Sequence, residues 1–125
     1  GKDSMAITTL TLSTRFGASF GKDTSANATS TQFKASSGTL YTVEIDNTEA
    51  SSQTAFVKFY NLASPTVGTN APDVILFAPA GKTISYQFSV GIAFGTAISM
   101  ACVTGGGTAG TSALSSTVIV KVVYD

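Results

Sequence analysis

Residues 83–90 read TISYQFSV, and this stretch decides the class of fold. Every second side chain is apolar, and polar side chains stand between them. The apolar ones are Ile84, Tyr86, Phe88 and Val90. A period of two places them on one face of a β-strand. Residues 84–103 are long enough and apolar enough to suggest a membrane helix, but the alternation, two glycines and several β-branched residues favour a strand.

Similar patterns along the chain, together with apolar groups on both faces of residues 53–61 and a continuous apolar run at 74–78, predict seven strands. They are residues 6–16, 39–46, 53–61, 74–78, 83–90, 96–103 and 117–124, with an eighth, short strand near 33–35. Short strands separated by turn residues are typical of a sandwich or barrel, and eight of them suit a jelly roll. We therefore predict an all-β chain: a single antiparallel β-sandwich, jelly-roll-like, of about eight strands, with an extended N-terminal arm.

The N-terminal part differs in composition from the rest of the chain. Residues 17–32 are rich in Gly, Ser, Thr, Ala and Asn, which is typical of a loop or an arm. We expect residues 1–4 to be a remnant of expression ahead of a native Met5, and residues 5–38 to form a strand and an arm. Residues 39–125 are then the β-sandwich domain.

Length and charge limit the classes of function. The chain has 125 residues, which is one domain of ordinary size. Seven basic and seven acidic residues give a formal net charge of zero, and 11% of residues are charged, against about 25% in a typical protein. Because phosphate contacts need clustered Lys and Arg, the composition excludes a charge-driven nucleic-acid binder. It also argues against a polybasic membrane patch.

The composition argues against an enzyme as well. There is no His, so no Ser-His or Cys-His nucleophile pair can form. The one cysteine, Cys102, allows neither an internal disulfide nor a thiolate zinc cluster. We expect no catalytic residue, no cofactor and no metal.

One group of carboxylates is a possible exception to the expected absence of catalytic and metal sites. Glu44 and Asp46 share a strand face about 7 Å apart, and Glu49 follows. They could form a glycosidase-like pair, or with Asn47 a site for a hard cation. The alternative, which we favour, is a solvated strand end that runs into a turn.

A glycine-rich stretch matches a cofactor-binding motif in sequence but not in its predicted structural context. Residues 105–110 read GGGTAG, which fits the Gly-x-Gly-x-x-Gly pattern of dinucleotide sites. Such a site needs a helix next, so that the helix N-terminus faces the pyrophosphate. Residues 117–124 predict a strand instead, so we interpret the stretch as a hairpin loop.

Apolar residues of the N-terminal part are the predicted contacts with a partner or with other copies. They are Ile7, Leu10, Leu12, Phe16, Phe20 and Phe33. The alternative is that the phenylalanine rings fold back onto their own sandwich. Tyr60 and Phe94 adjoin predicted loops and could contact a ligand such as a sugar, although burial in the core explains them better.

From residue 40 onward, a series of short motifs resembles a known group of proteins. The motifs are LYTVEIDNT (40–48), KFYN (58–61), ASPTVGT (63–69), APD (71–73), PAG (79–81), GIAF (91–94) and VTGGG (103–107). Their order is similar to small β-sandwich structural proteins of tailed bacteriophages, including phages of cyanobacteria. The resemblance implies a virion component, a capsid cement (decoration) protein on the capsid exterior. Members can instead sit on tails or fibres, and residues 1–39 lie outside the resemblance.

The sequence therefore predicts a non-enzymatic protein that binds the assembled capsid shell and stabilises it. Its partners would be the major capsid protein or another virion protein. Copies of the chain would form a homotrimer, which suits the three-fold positions of a capsid. The alternative is a tail or fibre module that binds host glycan through the loops at 61–72 and 91–95.

Overall fold

The computed structural model describes residues 18–125, and its regular structure consists of eight strands. These are β1 (Ser19–Asp23), β2 (Thr31–Lys34), β3 (Gly38–Asp46), β4 (Ala55–Tyr60), β5 (Val74–Ala78), β6 (Thr83–Phe94), β7 (Ile98–Val103) and β8 (Ile119–Tyr124). Within this range there is no helix that could cross a bilayer.

The strands form two four-stranded antiparallel sheets. Sheet A has the order β1-β8-β3-β6, and sheet B has the order β2-β7-β4-β5. Each strand of the first half pairs with its counterpart in the second half: β1 with β8, β2 with β7, β3 with β6 and β4 with β5. This order results when one ribbon of four strand pairs is rolled up, which is the jelly roll. The predicted jelly-roll-like sandwich is confirmed.

The core lies between the two sheets and is built from one face of each central strand. Its fully buried side chains include Leu40, Val43, Ile45, Val57, Phe59, Ile98, Met100 and Val120. Each such side chain contributes about 1.5–3 kcal/mol when it is fully buried. A shift of one residue in the pairing of two strands would turn a whole row of apolar side chains toward solvent. The alternation in the sequence therefore also fixes the register of the strands.

The N-terminal prediction needs one correction. Residues 17–32 were expected to form a loop or an arm, but Ser19–Asp23 is strand β1 and pairs with β8 over five residues. Its polar residues gave no apolar alternation to recognise. The short strand predicted near 33–35 is present as β2, and the strand predicted at 6–16 lies outside the described residues.

Residues 91–95, predicted as a loop, largely belong to strand β6, which contains a bulge. Strand β6 continues to Phe94, and its pairing with β3 shifts between Leu40, which faces Ile92, and Thr42, which faces Gln87. Residues 88–91 therefore stand opposite the single residue Tyr41 of β3. Such an insertion bends the strand locally and leaves extra residues unpaired.

We expect Gly91→Ala to lower the free energy of unfolding by about 2–3 kcal/mol. Gly91 has a φ of 79°, and a Cβ there would clash with the Thr39 side chain and lie 2.9 Å from Cε1 of Tyr41. Gly107→Ala is the matched control, because a Cβ at Gly107 meets no atom within 4 Å. Urea denaturation of both variants measures the difference, and equal losses would contradict the account.

Candidate functional site

Loops of the same chain cover the outer face of sheet B at β4 and β7, while Ile75 and Phe77 of β5 stay exposed. Lys58 and Tyr60 point away from the core on β4, yet both are fully buried. The loop that follows β4 lies over Ser99, whose Oγ donates a hydrogen bond to the Leu62 carbonyl at 2.6 Å. Strand β4 therefore has cover on both faces.

Lys58 is held by the glycine-rich loop. Its Nζ donates to the carbonyls of Gly107 at 2.5 Å and Gly110 at 3.1 Å. Burial lowers the pKa of Lys58, because desolvation disfavours the charged form. A phosphate site presents backbone N–H groups, whereas this loop turns two carbonyl oxygens toward a cation. Its geometry agrees with a structural loop and not with a dinucleotide site.

The carboxylates of β3 are engaged in local structure. Oε1 of Glu44 lies 3.7 Å from Nζ of Lys121. Oδ1 of Asp46 accepts hydrogen bonds from Oγ1 of Thr48 at 2.6 Å and from its backbone N–H at 3.1 Å. These bonds hold the pKa of Asp46 below its usual value. This is the strand end and turn that the sequence favoured.

No group of three metal-ligating side chains occurs within residues 18–125. Sequence reasoning did miss a buried amide beside these carboxylates. Asn47 is fully buried, and its Nδ2 donates to the carbonyls of Gln53, Ala78 and Pro79 at 2.9, 3.1 and 3.3 Å. It ties the end of β3 to the segment before β4 and to the end of β5.

The predicted contact residues have different environments. Phe20 lies on β1 with 64% of its surface exposed, as a contact residue requires. Phe33 is half-buried against the core, and its ring centroid lies 6.3 Å from that of Tyr124. It thus follows the alternative in which the ring packs on its own sandwich. The remaining four predicted contacts, Ile7, Leu10, Leu12 and Phe16, lie outside the described residues.

Tyr60 and Phe94 are both buried, as the favoured interpretation has it, and the alternative of a loop contact does not fit their positions. Phe94 faces the core from the end of β6, with 1% of its surface exposed. Tyr60 lies on the outer side of β4, but it is buried completely. Neither ring is available to a sugar or to another protein in this fold.

An open groove crosses the outer face of sheet A. It has a volume of about 480 Å³, and its lining residues are Ala18, Tyr41, Thr42, Gln87, Phe88, Ser89 and Val123. A second hollow of about 310 Å³ shares Thr42 and Val123 with it and adds Phe20, Glu44 and Lys121. The combined groove therefore extends from β1 to β6, over all four strands of the sheet.

The groove could not be found from the sequence. Its walls combine residues near positions 18, 41, 87 and 123, which only the strand order β1-β8-β3-β6 brings together. The groove contains the chemistry that a binding surface needs: apolar area from Phe20 and Val123, an amide from Gln87, and hydroxyls from Thr42 and Ser89. It is the candidate functional site of the protein.

Comparisons with known proteins were made for sequence and for structure. No model of a protein family matches the chain, and no curated protein gives a significant match. A chain from the disulfide-linked pili of Bacillus endospore appendages is similar in structure, with a TM-score of 0.41, 13% identity and 86% of each chain covered. A chain from infectious bursal disease virus, Gx strain, gives a TM-score of 0.31 and 13% identity. That match covers 86% of this chain and 32% of the viral one. The resemblance to phage proteins stays a prediction.

Proposed function

We propose that the protein is a non-enzymatic structural component of a phage virion. More narrowly, we propose a capsid cement (decoration) protein that binds the assembled shell from outside and stabilises it as an oligomer. The observation that carries this proposal is the asymmetry of the sandwich. On the outer face of sheet B, the central strands β4 and β7 are covered by the chain's own loops, and only Ile75 and Phe77 of the edge strand β5 are exposed, whereas the outer face of sheet A is open and carries the groove and Phe20.

The buried structure around the groove supports a structural role. The core between the sheets is continuous, and loops on sheet B are fixed by Lys58 and Ser99. A well-packed sandwich resists local opening, so the groove is presented on a rigid frame. Low charge density also limits repulsion between many copies on one shell. The reactive-looking carboxylates Glu44 and Asp46 have structural partners instead.

The N-terminal segment and the groove form one proposed contact surface. Ala18, the first residue that the structure describes, lines the groove. The predicted contacts Ile7, Leu10, Leu12 and Phe16 lie in that segment, and Phe20 follows on β1. The major capsid protein, or another virion protein, would bind here, with a homotrimer at the three-fold positions.

Two variants are each expected to weaken shell binding at least tenfold: the deletion of residues 1–16 and the single change Phe20→Ala. An aromatic ring that is buried at the centre of an interface contributes more than about 1.4 kcal/mol, which is a factor of ten in affinity. Both variants keep β1 and β2, which belong to the two sheets. Phe77→Ala is the matched control: Phe77 is 49% exposed, but it lies on sheet B.

Binding is measured by co-sedimentation with shells assembled from the major capsid protein of the same genome. Unassembled capsid subunits are the second ligand, because a cement protein stabilises only by preferring the closed shell. Equal affinity for shells and free subunits would contradict the cement function. So would undiminished shell binding by both the deletion variant and Phe20→Ala.

A tail or fibre module that binds host glycan is the second candidate. In this function the glycan would bind in the groove and not at the loops that the sequence suggested, because a volume of about 480 Å³ lies within the range of small-ligand sites. The ring of Tyr41 and the amide of Gln87 supply stacking and hydrogen bonding. A glycan-array signal that disappears in Gln87→Ala would support this candidate, and an array without signal would count against it.

A further inference from the structure

Four strands stand at the edges of the two sheets, and three of them are short and protected. Strands β1 and β2 have five and four residues and carry charged side chains. Strand β5 has five residues and is followed directly by Pro79. Short length, charge and proline are the usual means by which proteins prevent an edge from pairing with another chain.

Strand β5 has a further protection that comes from the opposite sheet. The Tyr86 hydroxyl donates to the Phe77 carbonyl at 2.6 Å and accepts from the Phe77 N–H at 3.3 Å. One side chain of β6 thus satisfies both backbone groups at the middle of the β5 edge. An incoming strand would have to displace it.

Strand β6 lacks comparable protection over residues 83–87, ahead of its bulge. It has twelve residues and no charged side chain, and within residues 18–125 only β3 pairs with it. Its core-facing residues Ile84, Tyr86 and Phe88 are packed against the core but only half-buried. The core is therefore incompletely covered at this edge, ahead of the bulge at residues 88–91.

We propose that β6 is an acceptor edge, and that residues 6–14 of a neighbouring copy pair with residues 83–87, ahead of the bulge, as an added strand. The donor segment reads AITTLTLST, which is uncharged and alternates in the same way as the acceptor. Leu10 and Leu12 would extend the core row of β6, while Thr9, Thr11 and Ser13 would extend its polar row. Main-chain hydrogen bonds supply affinity in this mode, and alternate side chains supply specificity.

The sheet order indicates a neighbouring copy as the source of the donor. The chain enters the sandwich at Ala18 before β1, whereas β6 is the opposite edge of the same sheet. A donor that returned to its own β6 would have to cross four strand spacings, about 19 Å, within the four residue steps from 14 to 18, which extend to at most about 14 Å. Exchange between copies needs no such crossing. Such an exchange joins the N-terminal segment of one copy to β6 of the next copy. The contact is therefore head-to-tail and can close into a ring such as the predicted trimer.

Disulfide trapping tests the source of the donor. Thr11→Cys is placed on one full-length chain and Ser85→Cys, or Gln87→Cys, on a second chain of different mass, and the two are mixed and oxidised. Both positions lie on the polar row, and the native Cys102 is buried. We expect heterodimers that carry one of each chain. A doubly substituted chain that cross-links only within itself, or the absence of any cross-link, would overturn the proposal.

Two double variants, each of which adds two negative charges to one face of the donor strand, test which face binds. Leu10→Asp with Leu12→Asp should reduce the mass in solution, measured by light scattering, from that of the oligomer to that of one chain. Thr9→Asp with Thr11→Asp, which adds the same charge to the other face, should keep the oligomer. Equal behaviour of the two double variants would overturn the proposal.

This inference deepens the proposed function and rests on it for the biological role of the oligomer. The two can nevertheless fail separately, because cross-linking and mass are measured without shells. A chain that binds shells but shows no exchange overturns the acceptor edge alone. A cross-linked ring that binds neither shells nor other virion proteins overturns the cement function alone.

Discussion

Lys58→Glu is expected to lower the free energy of unfolding by about 3–5 kcal/mol, the range for leaving a buried charge without a partner. In the native protein, the Lys58 ammonium satisfies the Gly107 and Gly110 carbonyls. A carboxylate in its place would face two oxygen acceptors with no donor, at a position with no exposed surface. Equilibrium unfolding in urea, monitored by circular dichroism, measures the loss.

The matched control is Lys121→Glu, which makes the same change of charge on sheet A. The side chains of Lys121 and Glu44 are 41% and 38% exposed, and their charged atoms lie 3.7 Å apart. Exposed ion pairs contribute at most about 1 kcal/mol, so this variant should lose no more than that. A loss at Lys58→Glu as small as the one at Lys121→Glu would show that the glycine-rich loop does not depend on the ammonium.

Alkaline conditions are expected to destabilise the protein through Cys102. Burial, assisted by the negative charge of Asp23, raises the pKa of the Cys102 thiol from 9.0 to about 12. Between those values the unfolded chain releases the thiol proton and the folded chain keeps it, so stability falls as pH rises. The loss is about 1.4 kcal/mol per pH unit, or about 2.7 kcal/mol by pH 11.

Cys102→Ala isolates this contribution. At pH 7 the variant should be less stable than the native protein by about 1 kcal/mol, because a small buried group is missing. Its free energy of unfolding should then fall less between pH 8 and pH 11, so that the order of stability reverses in alkali. Parallel curves for the two proteins, measured by urea denaturation at each pH, would exclude the thiol as the cause. Lys58 and Tyr60 titrate in both proteins and cancel in the difference.

Most strands were predictable from alternation because burial on one side of a sheet imposes a period of two. Alternation places residues 39–46 within one residue of β3, whereas 74–78, which match β5, are predicted from a continuous apolar run. Alternation fails where a strand has little to bury. Strand β1 pairs with β8 but carries Gly21 and the exposed Phe20, so its residues resemble a loop in composition.

The site was less accessible to sequence reasoning than the fold. Phe20 was selected because it is an aromatic residue in a polar stretch, and it is exposed beside the groove. Tyr60 and Phe94 were candidates because they adjoin predicted loops, yet loops and the core bury them. Whether an aromatic residue faces solvent depends on what lies above it. For β4 that cover is a loop some fifty residues later, since Lys58 contacts Gly107.

The pairing of β1 with β8 has a mechanical consequence. Ser19 lies opposite Tyr124, so the chain enters and leaves the sandwich at the same end of one antiparallel pair. A pulling force applied between Ala18 and Asp125 would break the pair from this end, one residue pair after another, like a zipper. A force transmitted between the N-terminal segment and the outer face of sheet A would instead load the whole pair at once. The protein should therefore yield easily to tension between these two positions while it resists shear across a surface to which it is attached.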